Sequence, residues 1–163
     1  ILPQAYESGQ TPLLLLLDGI TDVRNFGAIC RSAFCAGAQA VVVPQSGSAP
    51  ANEDAMKASA GALARVPLCR VRSLFSTVEW LQQSGVQVVA TALTEQAEPI
   101  FDMDFSLPTA ILLGSEDQGV HPKLLRMADR VARIPQAAGF DSLNVSVAAG
   151  IALYEALRQR LQP

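Results

Sequence analysis

The chain predicts an α/β fold, a parallel sheet flanked by helices on both faces. Three observations carry the prediction: short unbroken aliphatic runs fenced by turn residues, helical patterns between them, and regular alternation of the two. The runs at residues 13–17, 40–43, 86–90 and 109–113 are apolar but for Gln87 and Thr109, as strands covered on both faces largely are. Residues 68–71 and 131–134 are weaker strand candidates. Phe26, Ile29, Ala33 and Ala36 share one face of a helix opening near Asn25. Ser76 with Glu79 reads as a capping box ahead of a helix that stops at Gly85, and Pro122 suits the first turn of another. In the last helix Leu143, Val147, Gly150, Tyr154, Leu157 and Leu161 recur at spacings of 4, 3, 4, 3 and 4, a stripe down one side. Ala148, Ala149, Gly150 and Ala152 thin part of its surface, so that either the sheet or a second subunit can approach closely.

With 163 residues the chain is one domain's worth. Half the residues are hydrophobic and 17% charged, which excludes a disordered or solvating segment. The longest aliphatic run, 13–17, lies between Pro12 and Asp18, far below the ~18 apolar residues of a membrane span. Cys30, Cys35 and Cys69 form no C-x-x-C pair and His121 has no ligand partners nearby, so neither a disulfide framework nor a metal is expected and a cytoplasmic setting fits. The chain opens at Ile1 and has no secretory leader, and residues 1–12 are expected to be a linker or tail from a preceding region, ahead of a single domain within 1–163. A net charge of −3 argues against wholesale coating of nucleic acid, yet ten of twelve basic residues are arginine, with Arg65, Arg70 and Arg72 close together. Arginine suits bidentate phosphate contacts, and solvated surface charge explains the same residues.

Ligands of such a sheet sit beyond the carboxyl ends of its strands. Neither G-x-G-x-x-G nor G-x-x-x-x-G-K-[ST] stands after the first strand, so the usual dinucleotide and P-loop readings fail. The first strand runs instead into Asp18-Gly19-Ile20-Thr21-Asp22-Val23-Arg24-Asn25-Phe26-Gly27. At about 100° per residue, Arg31 falls opposite the core face set by Phe26, Ile29 and Ala33. It is either an exposed helical arginine or one that faces an active site or a partner. The strand at 109–113 runs into Gly114-Ser115-Glu116-Asp117-Gln118-Gly119, where two glycines around a carboxylate allow close approach to a ligand and equally suit a tight loop. His121 reads as a cap or an exposed residue. Ile134-Pro135 leads through a flexible stretch, 136–141, to Ser142-Leu143-Asn144-Val145-Ser146. Ser142 is a suitable N-cap, and the first-turn N–H groups would then be open to a ligand. Asn144, a poor helix former in the first turn, wants a separate reason.

Together these segments resemble the SpoU, or TrmH-type, family of RNA 2′-O-methyltransferases in the knotted SPOUT superfamily. The first matches as Asp18-Gly19-x-x-Asp22-x-x-Asn25-x-Gly27-Ala28-x-x-Arg31-Ser32-Ala33, the second as Leu113-Gly114-x-Glu116-x-x-Gly119, and the third as Ile134-Pro135 followed by Ser142-Leu143-Asn144-Val145-Ser146-x-Ala148. Lys57-Ala58-Ser59-Ala60-Gly61-Ala62 is similar to the family's small-residue segment. The match covers nearly the whole chain, and the conjunction is far more specific than any piece. The resemblance implies a C-terminal trefoil knot, an S-adenosylmethionine pocket and a homodimer. It implies cofactor contacts from Thr91, Gly114, Ile134 and Leu143, and catalytic or substrate-positioning places for Asn25, Arg31, Glu116, Ser142 and Asn144. Arg31 would hold the phosphate beside the target ribose and stabilise the developing alkoxide.

The sequence departs from the family pattern at Gln136-Ala137-Ala138-Gly139, where relatives commonly have Met-x-Gly after Ile-Pro, and at Val23, where a proline is frequent. Ribosomal RNA is the expected substrate, guanosine the preferred nucleotide, and transfer RNA the alternative. Two other readings are a non-catalytic RNA-binding domain of this fold and a doubly wound enzyme for another nucleotide-like ligand. The full set of polar motif residues disfavours the first, and the missing glycine-rich phosphate loop the second.

Overall fold

The computed structural model describes residues 1–139 and 142–161. Phe140 and Asp141, the end of the stretch expected to be flexible, lie outside the described residues. In chain order the elements are α1 (Leu2–Glu7), β1 (Leu13–Asp18), α2 (Val23–Cys35), β2 (Ala40–Pro44), α3 (Glu53–Ala58), β3 (Leu68–Val71), α4 (Leu74–Gln83), β4 (Gln87–Thr91), β5 (Glu98–Pro99), β6 (Thr109–Gly114), α5 (Pro122–Met127), β7 (Arg130–Arg133) and α6 (Val145–Leu161). The six expected strands are all present, within one residue at either end. The two-residue β5 and the short helices α1 and α3 carried too little periodicity to be read. Within residues 1–12, expected as linker or tail, Leu2–Glu7 is a helix with Leu2 and Ala5 buried.

All seven strands run parallel in the order β3-β2-β1-β6-β4-β7-β5. The late strands β6 and β7 are thus inserted among earlier ones. Alternate residues feed two cores. Leu13, Leu15 and Leu17, with Val41, Val43, Ile111 and Leu113, pack under α2 and α6. Leu14 and Leu16, with Val42, Val88, Ala110 and Leu112, pack under α1, α4 and α5. Burial on both faces is why these strands read as unbroken apolar runs.

Helix starts match expectation in part. α2 opens at Val23, near Asn25 as expected, and Asp22 caps it by accepting the Asn25 N–H at 2.8 Å. Ser73, not Ser76, caps α4, while Gly85 at φ +80° ends that helix as expected. His121 is indeed a cap, its Nδ1 accepting from the Lys123 N–H at 3.1 Å, with Pro122 opening α5. Gly27 lets α3 lie against α2, since a Cβ there would stand 2.5 Å from Ala58 Cβ. The small-residue segment 57–62 serves this close approach: Ser59 is fully buried, donates to Met56 O and accepts from Leu63 N.

The apolar stripe of α6 turns away from the sheet, contrary to a core-facing reading. Val147, Tyr154 and Leu161 are 50%, 67% and 72% exposed, whereas Val145, Ala149, Ala152, Leu153 and Ala156 are buried. The core takes the small residues because α6 lies close to the sheet and to α2. Cys30, buried on α2, has its thiol pushed up to about 12 by burial, so it is an inert core residue.

The far end of α6 is clamped by Arg160. Its guanidinium donates to the carbonyls of Phe105 (2.9 Å), Thr11 (2.7 Å), Pro12 (2.9 Å) and Leu107 (3.0 Å), at the amino edge of β1 and β6. Burial lowers its affinity for the proton, and the four carbonyls hold the charged form in place. Arg160→Ala is expected to cost about 2–4 kcal/mol, because it leaves partly buried carbonyls unpaired. Urea unfolding with an unchanged slope and a lower midpoint would register that loss; an unchanged midpoint would contradict the clamp.

Candidate active site

The carboxyl ends of β1 and β6 lie side by side, with Asp18 in register with Gly114. β2 and β3 continue the sheet on one side, β4 and β7 on the other. Parallel sheets take ligands at such a switch point. The loops after β1 and β6 and the start of α6 all meet there.

The loop after β6 folds on itself. A Cβ on Gly114 would lie 2.0 Å from the Gly119 carbonyl carbon and 2.1 Å from the Val120 nitrogen, so the close approach that requires glycine is made by the loop's own backbone. Gly119 turns at φ +67° and its N–H donates to Ser115 O at 2.8 Å. This hairpin pushes Glu116 outward. The His121 N–H donates to Asp18 Oδ2 at 2.7 Å, tying the loop to the end of β1.

The start of α6 corrects the expected capping. The helix begins at Val145, and Asn144 is its cap, its Oδ1 accepting from the N–H groups of Ser146 (2.9 Å) and Val147 (3.3 Å) and from the Ser146 hydroxyl. Ser142 lies two residues upstream of that cap. The Val145 N–H donates to Glu116 Oε1 at 3.0 Å. The first-turn donors are therefore taken by side chains rather than open to a ligand. Asn144 Nδ2 also donates to Asn25 Oδ1 at 3.1 Å, linking α6 to the first turn of α2. Asn25, Glu116 and Asn144, singled out from three distant segments, thus form one hydrogen-bonded junction.

Two cavities flank this junction. One, of about 210 Å³, lies at the ends of β4, β6 and β7 and touches Thr91, Gly114, Ile134 and Leu143, together with Glu116 and Ser142. The other, of about 240 Å³, is more polar and lies between the loops after β1 and β6, touching Asp22, Asn25 and Glu116. They share Ser115, Glu116 and Val145. Thr91 is held by its hydroxyl, which donates to Leu112 O at 3.3 Å. Leu93, Arg133 and Gln136 also line the first cavity. Sequence reasoning marked Gln136 only as a departure, and Leu93 and Arg133 carried no signal. A larger apolar cleft of about 500 Å³, between α1, α4 and the outer strands, touches none of these residues.

Arg31 stands apart. It is exposed on α2 and lines neither cavity. Among the described residues it makes no ion pair. The next residue, Ser32, faces Gly150 of α6, where a Cβ would stand 3.9 Å from its Oγ. Arg31 therefore lies on the helix that packs against α6, on its exposed side. No group of three or more His, Cys, Asp or Glu side chains is placed to hold a metal among the described residues.

A parallel sheet with β6 inserted at its centre thus carries a switch-point junction built from three loops. Residues 12–154 match the model of the SpoU rRNA Methylase family, and the chain belongs to that family. It is 45% identical over 152 residues to the 23S rRNA (guanosine-2′-O-)-methyltransferase RlmB of Vibrio parahaemolyticus, covering 93% of this chain and 61% of the relative. A protein of the same description from Pseudomonas aeruginosa is 45% identical over 149 residues, covering 91% and 60%. The chain thus spans about six-tenths of the length of these curated relatives. Among solved structures, the AdoMet-bound rRNA methyltransferase of Sinorhizobium meliloti superposes with a TM-score of 0.85 at 35% identity, covering 93% of this chain and 57% of that one. The A. aeolicus TrmH/SpoU tRNA modifying enzyme gives 0.85 at 32% identity, covering 93% and 76%.

Asn144→Ala removes the α6 cap and the tie to Asn25 together. It should cost about 1–2 kcal/mol of stability. Amide exchange should quicken at Ser146 and Val147 while the far end of α6 stays protected. Unchanged exchange at those two amides would show that the cap is not what orders this turn.

Proposed function

We propose that the chain is the catalytic domain of an S-adenosylmethionine-dependent RNA ribose 2′-O-methyltransferase, acting in the cytoplasm on ribosomal RNA with guanosine as the preferred nucleotide. The observation that carries this reading is the cavity touching Thr91, Gly114, Ile134 and Leu143, beside a junction of Asn25, Glu116 and Asn144. The names of the relatives above, and the AdoMet-bound neighbour, support it.

The donor set suits the cofactor. Leu93, Ile134, Leu143 and Val145 offer apolar surface for a flat base, and the ends of β4 and β6 offer backbone groups for its polar edge. Ser142 and Glu116 stand at the mouth for hydroxyl and ammonium groups. When bound, S-adenosylmethionine supplies an electrophilic methyl carbon for in-line attack by a ribose oxygen.

The chain's own contribution is alignment and charge. Alignment of two reactants recovers ~7–11 kcal/mol of barrier, more than the ~10²–10⁴ in rate that a positioned proton acceptor adds. The polar second cavity, bounded by Asp22, Asn25 and Glu116, receives the target nucleotide. Asn25, Asn144 and Glu116 hold the two cavities in fixed relation, and Ser142 helps to orient the ribose. Arg31 holds the phosphate beside the target ribose and stabilises the developing alkoxide, a guanidinium being an ion-pairing group rather than a ready base at neutral pH. The proton leaves through that phosphate or through a deprotonated arginine.

The exposed place of Arg31 fits a homodimer. Val147, Tyr154 and Leu161 make an apolar strip on α6, the helix packed against α2, of the kind a second copy covers. Pairing across α2 and α6 encloses Arg31 and brings it into a shared site. Tyr154→Arg is expected to yield monomers in sedimentation and to lose methyl transfer with the fold intact by circular dichroism. A dimer that survives this change would move the interface elsewhere.

Arg31→Ala should lower methyl transfer to ribosomal RNA by ~10³ or more while calorimetry gives an unaltered affinity for S-adenosylmethionine. Full turnover in that variant would remove Arg31 from the mechanism. Absence of cofactor binding by the unaltered protein would overturn the function itself, and transfer to transfer RNA alone would reassign the substrate.

A further inference from the structure

The arginines that the sequence groups together are not part of the junction, yet they share its edge of the sheet. Arg70 is exposed at the carboxyl end of the edge strand β3, and Arg72 is exposed just beyond it. Arg70 Nη1 donates to Ser48 Oγ at 3.3 Å, and the Ser48 hydroxyl donates in turn to Pro44 O at 2.7 Å. The loop carrying Ser48 is fastened on both sides. Gln45 N–H donates to Val71 O at 2.8 Å, and Ala49 N–H to Ile20 O at 2.8 Å. Ile20 belongs to the loop that lines the polar cavity. A hydrogen-bonded ridge therefore runs from that cavity across the ends of β2 and β3.

A second arm leaves the site on the other face. His121 is anchored by Asp18 at the end of β1. Its ring meets Phe75 edge to face with centroids 5.4 Å apart, and Lys123 Nζ stands 4.8 Å from the centre of the Phe75 ring. Phe75 lies in the first turn of α4, three residues after Arg72. Both arms thus converge on the turn beyond β3.

The charges along this edge are unequally engaged. Asp18 accepts the His121 N–H, Asp22 caps α2, Glu116 holds α6, and Glu53 pairs with Lys57 at 3.1 Å. Asp54 and Asp117 carry no ion-pair partner among the described residues. Arg70, Arg72 and Lys123 have no carboxylate partner among them either. A carboxylate that accepts an N–H keeps its charge, but none stands within ion-pairing distance of these three cations among the described residues, which leaves them open to an outside anion. The ends of β1 and β3 are two strand spacings apart, ~10 Å, within reach of nucleotides flanking one held at the switch point.

We propose that the carboxyl edge of β2 and β3 is the track for the RNA backbone that flanks the target ribose, with Arg70, Arg72 and Lys123 as its phosphate contacts. This rests on the methyltransferase reading for the identity of the polymer. The three residues are positioning residues: they hold the strand and leave the chemistry untouched. Ser48 orients Arg70, and Phe75 orients Lys123.

The test is RNA binding rather than turnover, with bulk ribosomal RNA and a single-stranded oligoribonucleotide as probes over a series of salt concentrations. The triple variant Arg70→Ala, Arg72→Ala, Lys123→Ala is expected to bind at least tenfold more weakly. The slope of log K against log salt should fall by about 2, three lost phosphate contacts at ~0.7 each for a single strand. Methyl-donor affinity by calorimetry and the melting temperature should match the unaltered chain, and Arg70→Lys with Arg72→Lys should keep most of the binding. Unchanged affinity and slope in the triple variant overturn the track, as does absence of RNA binding by the unaltered chain. Failure of S-adenosylmethionine to bind is a separate result that strikes the methyltransferase reading and not the salt slope.

Discussion

The N-terminus of α6 is the constraint on which the site depends. A helix start leaves unpaired N–H groups that need acceptors. Here the acceptors come from two different segments: Glu116, pushed out by the turn after β6, and Asn144, which precedes the helix itself. Satisfying the helix therefore draws the β6 loop and the α6 start into one place, and the Asn144 amide extends the connection to α2 through Asn25. Each bond is modest alone. Together they fix the relative positions of three loops that share no backbone hydrogen bond among the described residues, and the two cavities on either side inherit that rigidity.

The motif glycines serve the same end indirectly. Gly114 has no room for a side chain because the turn it begins returns over it, and only that tight return aims Glu116 at Val145. Gly27 and Ser59 let α3 nest on α2, which fixes the helix bearing Asn25 and Arg31. In the sequence Gly114 suited either close approach to a ligand or a tight loop, and the tight loop is what forms. All three residues are means by which protein approaches protein closely, with the site as the result.

The legible parts of the fold are those set by physics that acts locally. Strands buried on both faces write themselves as aliphatic runs, so β1, β2, β4 and β6 stood out, and His121 before Pro122 announced a cap. Three-dimensional competition was not legible. Ser142 has the right chemistry for a cap, but Asn144 sits nearer the first turn and takes the bonds, which also supplies the reason its presence there demanded. The α6 stripe has core-like periodicity, yet the close approach of α6 to the sheet admits only Ala149, Ala152 and Ala156, so the larger residues turn outward. Strand order was likewise hidden, since no local pattern tells β6 to lie between β1 and β4. The choice of Asn25, Glu116 and Asn144 as partners came from the family resemblance; the hydrogen bonds among them explain why those residue types stand at those positions.

The two ends of α6 have different tasks, and the difference accounts for the helix's odd composition. At its C-terminal end Arg160 commits a half-buried cation to carbonyls at the amino edge of β1 and β6, an anchor that shares no contact with the cavities. At its N-terminal end the helix is held by side chains reaching from the carboxyl edge of the same strands. A rod fastened to opposite edges of the central strands cannot slide along them, so its inner face can be small and smooth without loss of register. That frees the larger apolar residues for the outer face. Arg31, left without a carboxylate partner among the described residues, keeps uncompensated charge, and that charge, with the apolar outer face of α6, is the ground on which a shared site between two copies is proposed.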